Sequence, residues 1–183
     1  MGTGDGLSVY KSAQAYQKRF FIGIDANRRP LEKISEKIYR RPAKGGLTNV
    51  LFVQAVVEEL PADLDGVASE VQVEFPWGSL LRGVAGGDAA IMSSLRRICS
   101  PAARLNVTIS IDPHRDGSEW ERLGLPAFTI DYAETVVTSR YRNAGFRIVY
   151  AEEIRSLQLK SSWARRLHQS SSRKLFRIEA EAM

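Results

Sequence analysis

Three glycines and one aspartate carry the most chemical information in this sequence. Gly2, Gly4 and Gly6 alternate through Gly2-Thr3-Gly4-Asp5-Gly6, directly ahead of a helical pattern that begins near Leu7. Glycine lets a backbone turn sharply and approach a ligand, and a helix N-terminus offers unpaired N–H groups beside it. Nineteen residues after Gly6, Asp25 ends the apolar run Phe20-Phe21-Ile22-Gly23-Ile24. A carboxylate at that spacing can accept both hydroxyls of a ribose. The dinucleotide fingerprint would need a glycine at position 7, where Leu7 stands, so the pattern points to a nucleoside cofactor without a pyrophosphate. Val53-Gln54-Ala55-Val56-Val57-Glu58 leads from strand to loop with small and apolar side chains, a place that faces an adenine ring in this topology.

A second constellation is aromatic and basic. Phe75-Pro76-Trp77-Gly78-Ser79 closes another strand, at the end of an open α/β sheet where ligands bind. It offers no side-chain amide, so chemistry there would rest on stacking and placement; the competing reading of a lone tryptophan is core packing. Trp163 lies within Lys160-Ser161-Ser162-Trp163-Ala164-Arg165-Arg166-Leu167, and aromatic residues among arginines can stack a base while holding its phosphates. Residues 155–177 hold seven bases and no acid, and residues 28–44 hold seven bases against Glu32 and Glu36. The formal charge of the whole chain is only +5, so the remainder is acidic. Lys33, Lys37, Arg40 and Lys44 recur at helical spacing, opposite Leu31, Ile34 and Ile38, which describes a helix that packs on one side and presents cations on the other. Two such blocks favour a phosphate-binding surface over a merely solvated face.

These groups must be held by one domain, since 183 residues with 44% hydrophobic and 26% charged residues suit a single folded core over residues 1–183. No apolar run approaches the roughly 18 residues that span a bilayer, and the first residues lack the pattern of a signal peptide. The one cysteine, Cys99, excludes an internal disulfide and a cysteine-cluster metal site, and suits a reducing, cytoplasmic setting. Runs ending at Asp25, and near 50–53, 71–75 and 105–111, read as strands; about 8–18, 31–41 and 88–99 read as helices. Their alternation predicts βαβ units on a largely parallel twisted sheet with helices on both faces. Asp131 with Glu134 predicts a capping box for a helix over about 132–144, stopped by Gly145. Strands follow near 146–151 and 175–182, the second alternating as an antiparallel edge strand would. The connection over 155–173 has no strong periodicity.

Taken in order, Gly-Thr-Gly-Asp-Gly, Phe-Ile-Gly-Ile-Asp, Lys44-Gly45-Gly46-Leu47-x-Asn49-Val50, Phe75-Pro76-Trp77-Gly78 and Trp163-Ala164-Arg165-Arg166-Leu167 resemble the aminoglycoside-resistance 16S rRNA (adenine(1408)-N(1))-methyltransferases. The Gly-x-Gly-x-Gly form is generic to methyltransferases that use S-adenosylmethionine (SAM); the two tryptophan motifs are far more specific. The resemblance implies a Rossmann-like class I methyltransferase fold with an antiparallel C-terminal strand, and transfer of a methyl group from SAM to N1 of adenine 1408 in assembled 30S subunits. It implies that Gly2, Gly4 and Asp25 hold SAM, with Ala55 and Glu58 near its adenine. Trp77 and Trp163 would sandwich a flipped adenine, with Ser161 nearby. Arg166 and Arg173 would grip rRNA phosphates, while Lys37, Arg40, Arg41 and Lys44 dock on the rRNA surface. The rRNA-contacting segments would be 28–47, 113–130 and 155–173, in a monomer without a metal.

Family members carry a further strand, ending in Asp, ahead of the glycine turn. Neither is in this sequence, so the expectation is a sheet lacking its first, central strand, and weak SAM affinity. A tRNA guanine-N7 methyltransferase-like enzyme and a non-catalytic RNA-binding remnant are the alternative readings; the basic blocks disfavour a small-molecule methyltransferase. Adenine N1 attacks through an in-plane lone pair and needs no prior deprotonation, so no Cys or His nucleophile is required. His114 and His168 are read as surface residues.

Overall fold

Short runs with apolar residues at alternate or successive positions form the strands, and helices lie between most of them. The computed structural model describes residues 1–154 and 173–183, which fall into two compact units.

The first unit is Met1–Val56. It contains α1 (Leu7–Ala15), β1 (Phe21–Asp25), α2 (Arg28–Ile38) and β2 (Val50–Gln54). The strands pair in parallel from Phe21↔Val50 to Asp25↔Gln54, with α2 as the crossover. Tyr10, Ala13, Leu31, Ile34, Ile38 and Val50 form its core.

Both helices differ in extent from the sequence expectation, for visible reasons. The first ends at Ala15, before residue 18, because Asn49 Nδ2 donates to the carbonyls of Ala13, Tyr16 and Arg19 at 2.9, 3.4 and 3.0 Å. That one amide satisfies oxygens that a longer helix would have used internally. The second starts earlier, at Arg28, capped by the Asn27 side chain, and stops at Ile38. There the Leu47 N–H donates to the Ile38 carbonyl, and a Cβ on Gly46 would lie 1.6 Å from the Arg40 carbonyl oxygen. Gly46 is therefore required by a backbone crossing, which explains why the Gly45-Gly46 pair stands between helix and strand.

The second unit comprises residues 57–154 and 173–183. Its elements are β3 (Ala68–Glu74), α3 (Gly78–Gly86), α4 (Ala89–Ile98), β4 (Cys99–Ile111), α5 (Pro113–Arg122), α6 (Ile130–Tyr132), a π-helical turn (Ala133–Val137), α7 (Thr138–Asn143), β5 (Phe146–Ile154) and β6 (Lys174–Ala182). The sheet order is β3-β4-β6-β5. The β3–β4 pair is parallel, whereas β6 runs antiparallel to both its neighbours. The mostly parallel mixed α/β character with an antiparallel C-terminal strand thus matches the expected class. The edge position does not: β6 is interior and β5 takes the edge. The alternation in β6 reports two faces of different burial, not an open ladder.

Val73, Leu105, Val107, Ile178 and Ala180 are fully enclosed and build the centre of this unit. Cys99 is buried there too, donating to the Leu95 carbonyl, and burial pushes its thiol pKa up to about 11. The helix from 130 onward is capped by Thr129, whose Oγ1 accepts the Tyr132 N–H at 3.0 Å, so the expected Asp131 cap lies inside the helix. Gly145, at φ +86°, ends it as expected. Helices α3 and α5 were not expected at all.

Candidate functional site

The glycine turn begins the first unit's site. The Thr3 N–H donates to the Ile24 carbonyl at 3.2 Å, fixing the turn against the end of β1. Gly4 has φ +57° and open space where a Cβ would stand, whereas a Cβ on Gly6 would meet Phe52 Cε1 at 2.6 Å and Ile34 Cγ2 at 2.8 Å. The three glycines therefore differ in purpose: Gly4 leaves room beside the backbone, and Gly6 lets α1 pack on the Phe52 ring. Gly2 also takes a positive φ, +65°.

Asp25 closes the turn from the other side. Its Oδ2 accepts the Gly4 N–H at 2.7 Å and its Oδ1 accepts the Asn27 N–H at 2.9 Å. Each oxygen keeps a second lone pair, so the carboxylate can still accept the two hydroxyls of a ribose. Thr3 Oγ1 is buried without a hydrogen-bond partner among the described residues. An orphaned hydroxyl beside an open glycine backbone and a carboxylate suits a polar ligand such as SAM. Thr3 escaped the sequence reading, although its position inside the glycine run was the available signal. Ala55, after β2, donates its N–H to the Asp25 carbonyl at 3.1 Å.

The cations of 28–44 are arranged differently from the expected single helical face. Arg40 lies beyond the helix end, and Lys44 belongs to a separate turn, Pro42–Lys44. Lys37 is half-buried, with Nζ 4.1 Å from the Tyr10 ring centroid, and Tyr10 in turn donates its hydroxyl to the Gly45 carbonyl at 2.8 Å. Arg40, Arg41 and Lys44 are exposed, and Arg28 pairs with Glu32 at 3.2 Å.

In the second unit, Trp77 stands on the turn that follows β3. Phe75 leaves the strand at φ +53°, uncommon for a residue with a side chain, and Gly78 follows at φ +59°. The Phe75 N–H donates to the Thr108 carbonyl at 2.8 Å, and Pro76 is buried. Trp77 is 57% exposed, so it is not core packing; Trp120, at 7%, is, with its ring centroid 6.5 Å from that of Phe128. Glu58 lies in the short turn Val57–Glu59 and is exposed.

Helix α5 carries three buried acids, Asp112 as its cap, Asp116 and Glu119. Asp116 accepts Arg173 Nη1 at 2.7 Å and the Asp112 N–H at 3.0 Å. Arg173, expected to hold an rRNA phosphate, has a side chain only 7% exposed and is committed to this pair. Glu119 accepts both Arg122 Nε and Nη2 at 2.7 Å, and its carboxyl pKa is held low chiefly by that hydrogen bonding. Within 113–130 the exposed side chains include His114, Arg115, Ser118 and Arg122. Ser161, Trp163, Arg166 and His168 lie outside the described residues. Among the described residues no cluster of acidic, His and Cys side chains could hold a metal, and no helix is long and apolar enough to cross a membrane.

Comparison with known proteins extends this geometry. The family model for NpmA, described as 16S rRNA (adenine(1408)-N(1))-methyltransferase, matches residues 1–182. A 16S rRNA (adenine(1408)-N(1))-methyltransferase of Streptoalloteichus tenebrarius is 39% identical over 94% of this chain and 80% of its own length. One from Escherichia coli is 35% identical over 97% of this chain and 83% of its own. Among solved structures, a mutant of the corresponding enzyme from Catenulisporales acidiphilia, with cosubstrate SAM, superposes with TM-score 0.90 at 32% identity, over 100% of this chain and 83% of that one. The aminoglycoside resistance methyltransferase NpmB1 gives TM-score 0.86 at 44% identity, over 100% and 84%.

Proposed function

Because the chain belongs to the family of 16S rRNA (adenine(1408)-N(1))-methyltransferases, we propose that it methylates N1 of adenine 1408 in 16S rRNA, using SAM. Its substrate on this reading is the assembled 30S subunit, it works as a cytoplasmic monomer, and the modification confers kanamycin and apramycin resistance. The observation that carries the reading is Trp77, a tryptophan 57% exposed on a turn with two positive φ angles at the C-terminal end of a parallel strand. Folding alone gives no reason to present an indole there; stacking a base does.

SAM supplies an electrophilic methyl group on a sulfonium centre. The chain's task is to bind and orient, because adenine N1 needs no base to deprotonate it and placement against the methyl group dominates the rate. Gly2, Gly4 and Asp25 hold the cofactor, the Asp25 carboxylate accepting the ribose hydroxyls, and Ala55 and Glu58 are assigned to its adenine. Thr3 Oγ1, buried and without a hydrogen-bond partner among the described residues, adds a donor to that set. Extruding adenine from its stack costs a few kcal/mol. Stacking on an aromatic side chain returns about 1–3 kcal/mol per base, and Trp77 and Trp163 take that role with Ser161 beside them. Lys37, Arg40, Arg41, Lys44 and Arg166 are assigned to rRNA, which the segments 28–47, 113–130 and 155–173 contact on this reading, whereas Arg173 is taken up by its buried pair with Asp116.

The test is methyl transfer from labelled SAM to 30S subunits, with primer extension to locate the modification. A stop at adenine 1408 is expected. Label appearing in tRNA would favour the guanine-N7 alternative, and salt-sensitive 30S binding without transfer would favour the non-catalytic one. Trp77→Ala should abolish transfer and leave SAM affinity unchanged; transfer at the wild-type rate would overturn the stacking role.

A further inference from the structure

Glu119 has no part in the function described so far, yet it is only 8% exposed and both its oxygens are occupied. Arg122 grips it through Nε and Nη2, each at 2.7 Å, and Oε1 also accepts the Gly78 N–H at 3.2 Å across 41 residues of sequence. A carboxylate so enclosed is tolerated only when paired and hydrogen-bonded. The site it reaches has a matching need. Helix α3 begins at Gly78, and Trp77 before it has no oxygen with which to cap the first N–H groups. Glu119 brings the missing acceptor, and a negative charge, to the positive end of that helix.

The same hydrogen bond closes the turn that carries the indole. At one end the Phe75 N–H is fixed to Thr108 on β4; at the other the Gly78 N–H is fixed to Glu119. Pro76 has no N–H to contribute. Phe75 and Gly78 both hold positive φ angles, and a non-glycine residue there costs on the order of 1–3 kcal/mol and persists only where its surroundings impose it. Among the described residues no aromatic ring or cation packs on the Trp77 indole, so neither kind of contact holds it and the turn's backbone bears on its direction.

We propose that Glu119, steadied by Arg122, is a positioning residue for Trp77, its bond to the Gly78 N–H holding the Phe75–Gly78 turn in the shape that presents the indole to the extruded base. This rests on the stacking role proposed for Trp77, and the experiment separates the two ideas. The full chain is labelled with 5-fluorotryptophan, and the Trp77 resonance is assigned by its loss in Trp77→Phe. Glu119→Ala is expected to shift or broaden the Trp77 signal while leaving that of the core residue Trp120 in place. Glu119→Gln, which keeps an acceptor for Gly78, should fall between Ala and wild type. In methyl transfer to 30S subunits, Glu119→Ala should lower kcat about tenfold or more, through misplacement of the base, with KM for SAM within about twofold.

An unmoved Trp77 signal in Glu119→Ala overturns the proposal. If Glu119→Ala also disturbs Trp120, Glu119→Gln and Arg122→Ala decide instead: a Trp77 shift in both supports the clamp, and none in either refutes it. Normal transfer by Trp77→Ala refutes only the stacking role, since the fluorine signals answer for the clamp on their own.

Discussion

Truncating Arg173 to alanine is expected to destabilise the second unit severely, because it strands a buried charge. The two side chains of the Arg173–Asp116 pair are 7% and 6% exposed, and the guanidinium meets the carboxylate twice, at 2.7 and 3.3 Å. With Arg173 gone, Asp116 Oδ2 retains the Asp112 N–H, and the carboxylate loses its only ion-pair partner among the described residues. Breaking one side of such a pair costs about 3–5 kcal/mol. For a protein of this size each kcal/mol lowers Tm by about 2–4 °C, so a fall of roughly 6–20 °C is expected. Replacing both partners together, Asp116→Ala with Arg173→Met, should recover most of that loss, since the desolvation cost of the pair disappears with its attraction. The assay is a double-mutant cycle by thermal and urea unfolding, followed by far-ultraviolet circular dichroism. An arginine devoted to an external phosphate behaves differently: its loss leaves stability within about 0.5 kcal/mol and instead weakens RNA binding with a shallower salt dependence. That second pattern, with no coupling between the two positions, would refute the structural role and leave Arg173 to rRNA alone.

Three further outcomes follow from the two units. Asp25→Ala should raise the Kd for SAM about 10- to 150-fold in calorimetry, the loss of charge-assisted hydrogen bonds worth about 1.5–3 kcal/mol; unchanged affinity would remove Asp25 from the site. Gly46→Ala should prevent the first unit from folding normally, because its Cβ would fall 1.6 Å from the Arg40 carbonyl, and limited proteolysis should then cut within residues 1–56. The low pKa of Glu119 gives a signed pH dependence: its folded-state value lies below the ordinary 4.5, so its contribution is complete above that value and lost as pH falls through the depressed one. The stability gap between wild type and Glu119→Gln should therefore narrow in acid and stay flat from about pH 6 to 8, as read by urea midpoints.

The elements read correctly from sequence are those whose local signals and packing agree. Helix α4 was expected over 88–99 and runs Ala89–Ile98, since Asp88 is both a good cap and the actual one, accepting the Ile91 N–H at 3.2 Å. Helix α3 was hidden by its glycines. Gly83 and Gly86 lower helix propensity, yet a Cβ on Gly83 would lie 2.3 Å from Ile91 Cγ2, so close helix packing demands what local preference opposes. Helix α5 was hidden by its charge, because a helix whose buried positions include Asp116 and Glu119 shows no apolar stripe to find. The candidate site divides in the same way. Asp25, Gly4 and Trp77 were legible because they act at strand ends, where type and spacing carry the chemistry. Glu119 and Thr3 were not, because what marks them is a partner, or the absence of one, that only three-dimensional packing creates.

The acids of α5 connect these observations. Asp112, Asp116 and Glu119 stand at i, i+4 and i+7, one face of a helix, and each takes a different backbone or side-chain group. Asp112 accepts the His114 N–H at the helix's own start, Asp116 holds Arg173 just before β6, and Glu119 holds Gly78 at the start of α3. In the sheet register Glu74 lies opposite Thr108 and Ile111 opposite Lys174, so the ends of β3 and β4 and the beginning of β6 share one edge. A buried acidic face thus ties together, at a single end of the four-stranded sheet, the turn that presents Trp77 and the arginine that precedes β6. Hydrophobic packing could not fix those backbones with the same directionality, because it has no preferred angle, whereas each carboxylate has two defined acceptor edges. The charge that concealed α5 in the sequence is what lets it organise that end of the sheet.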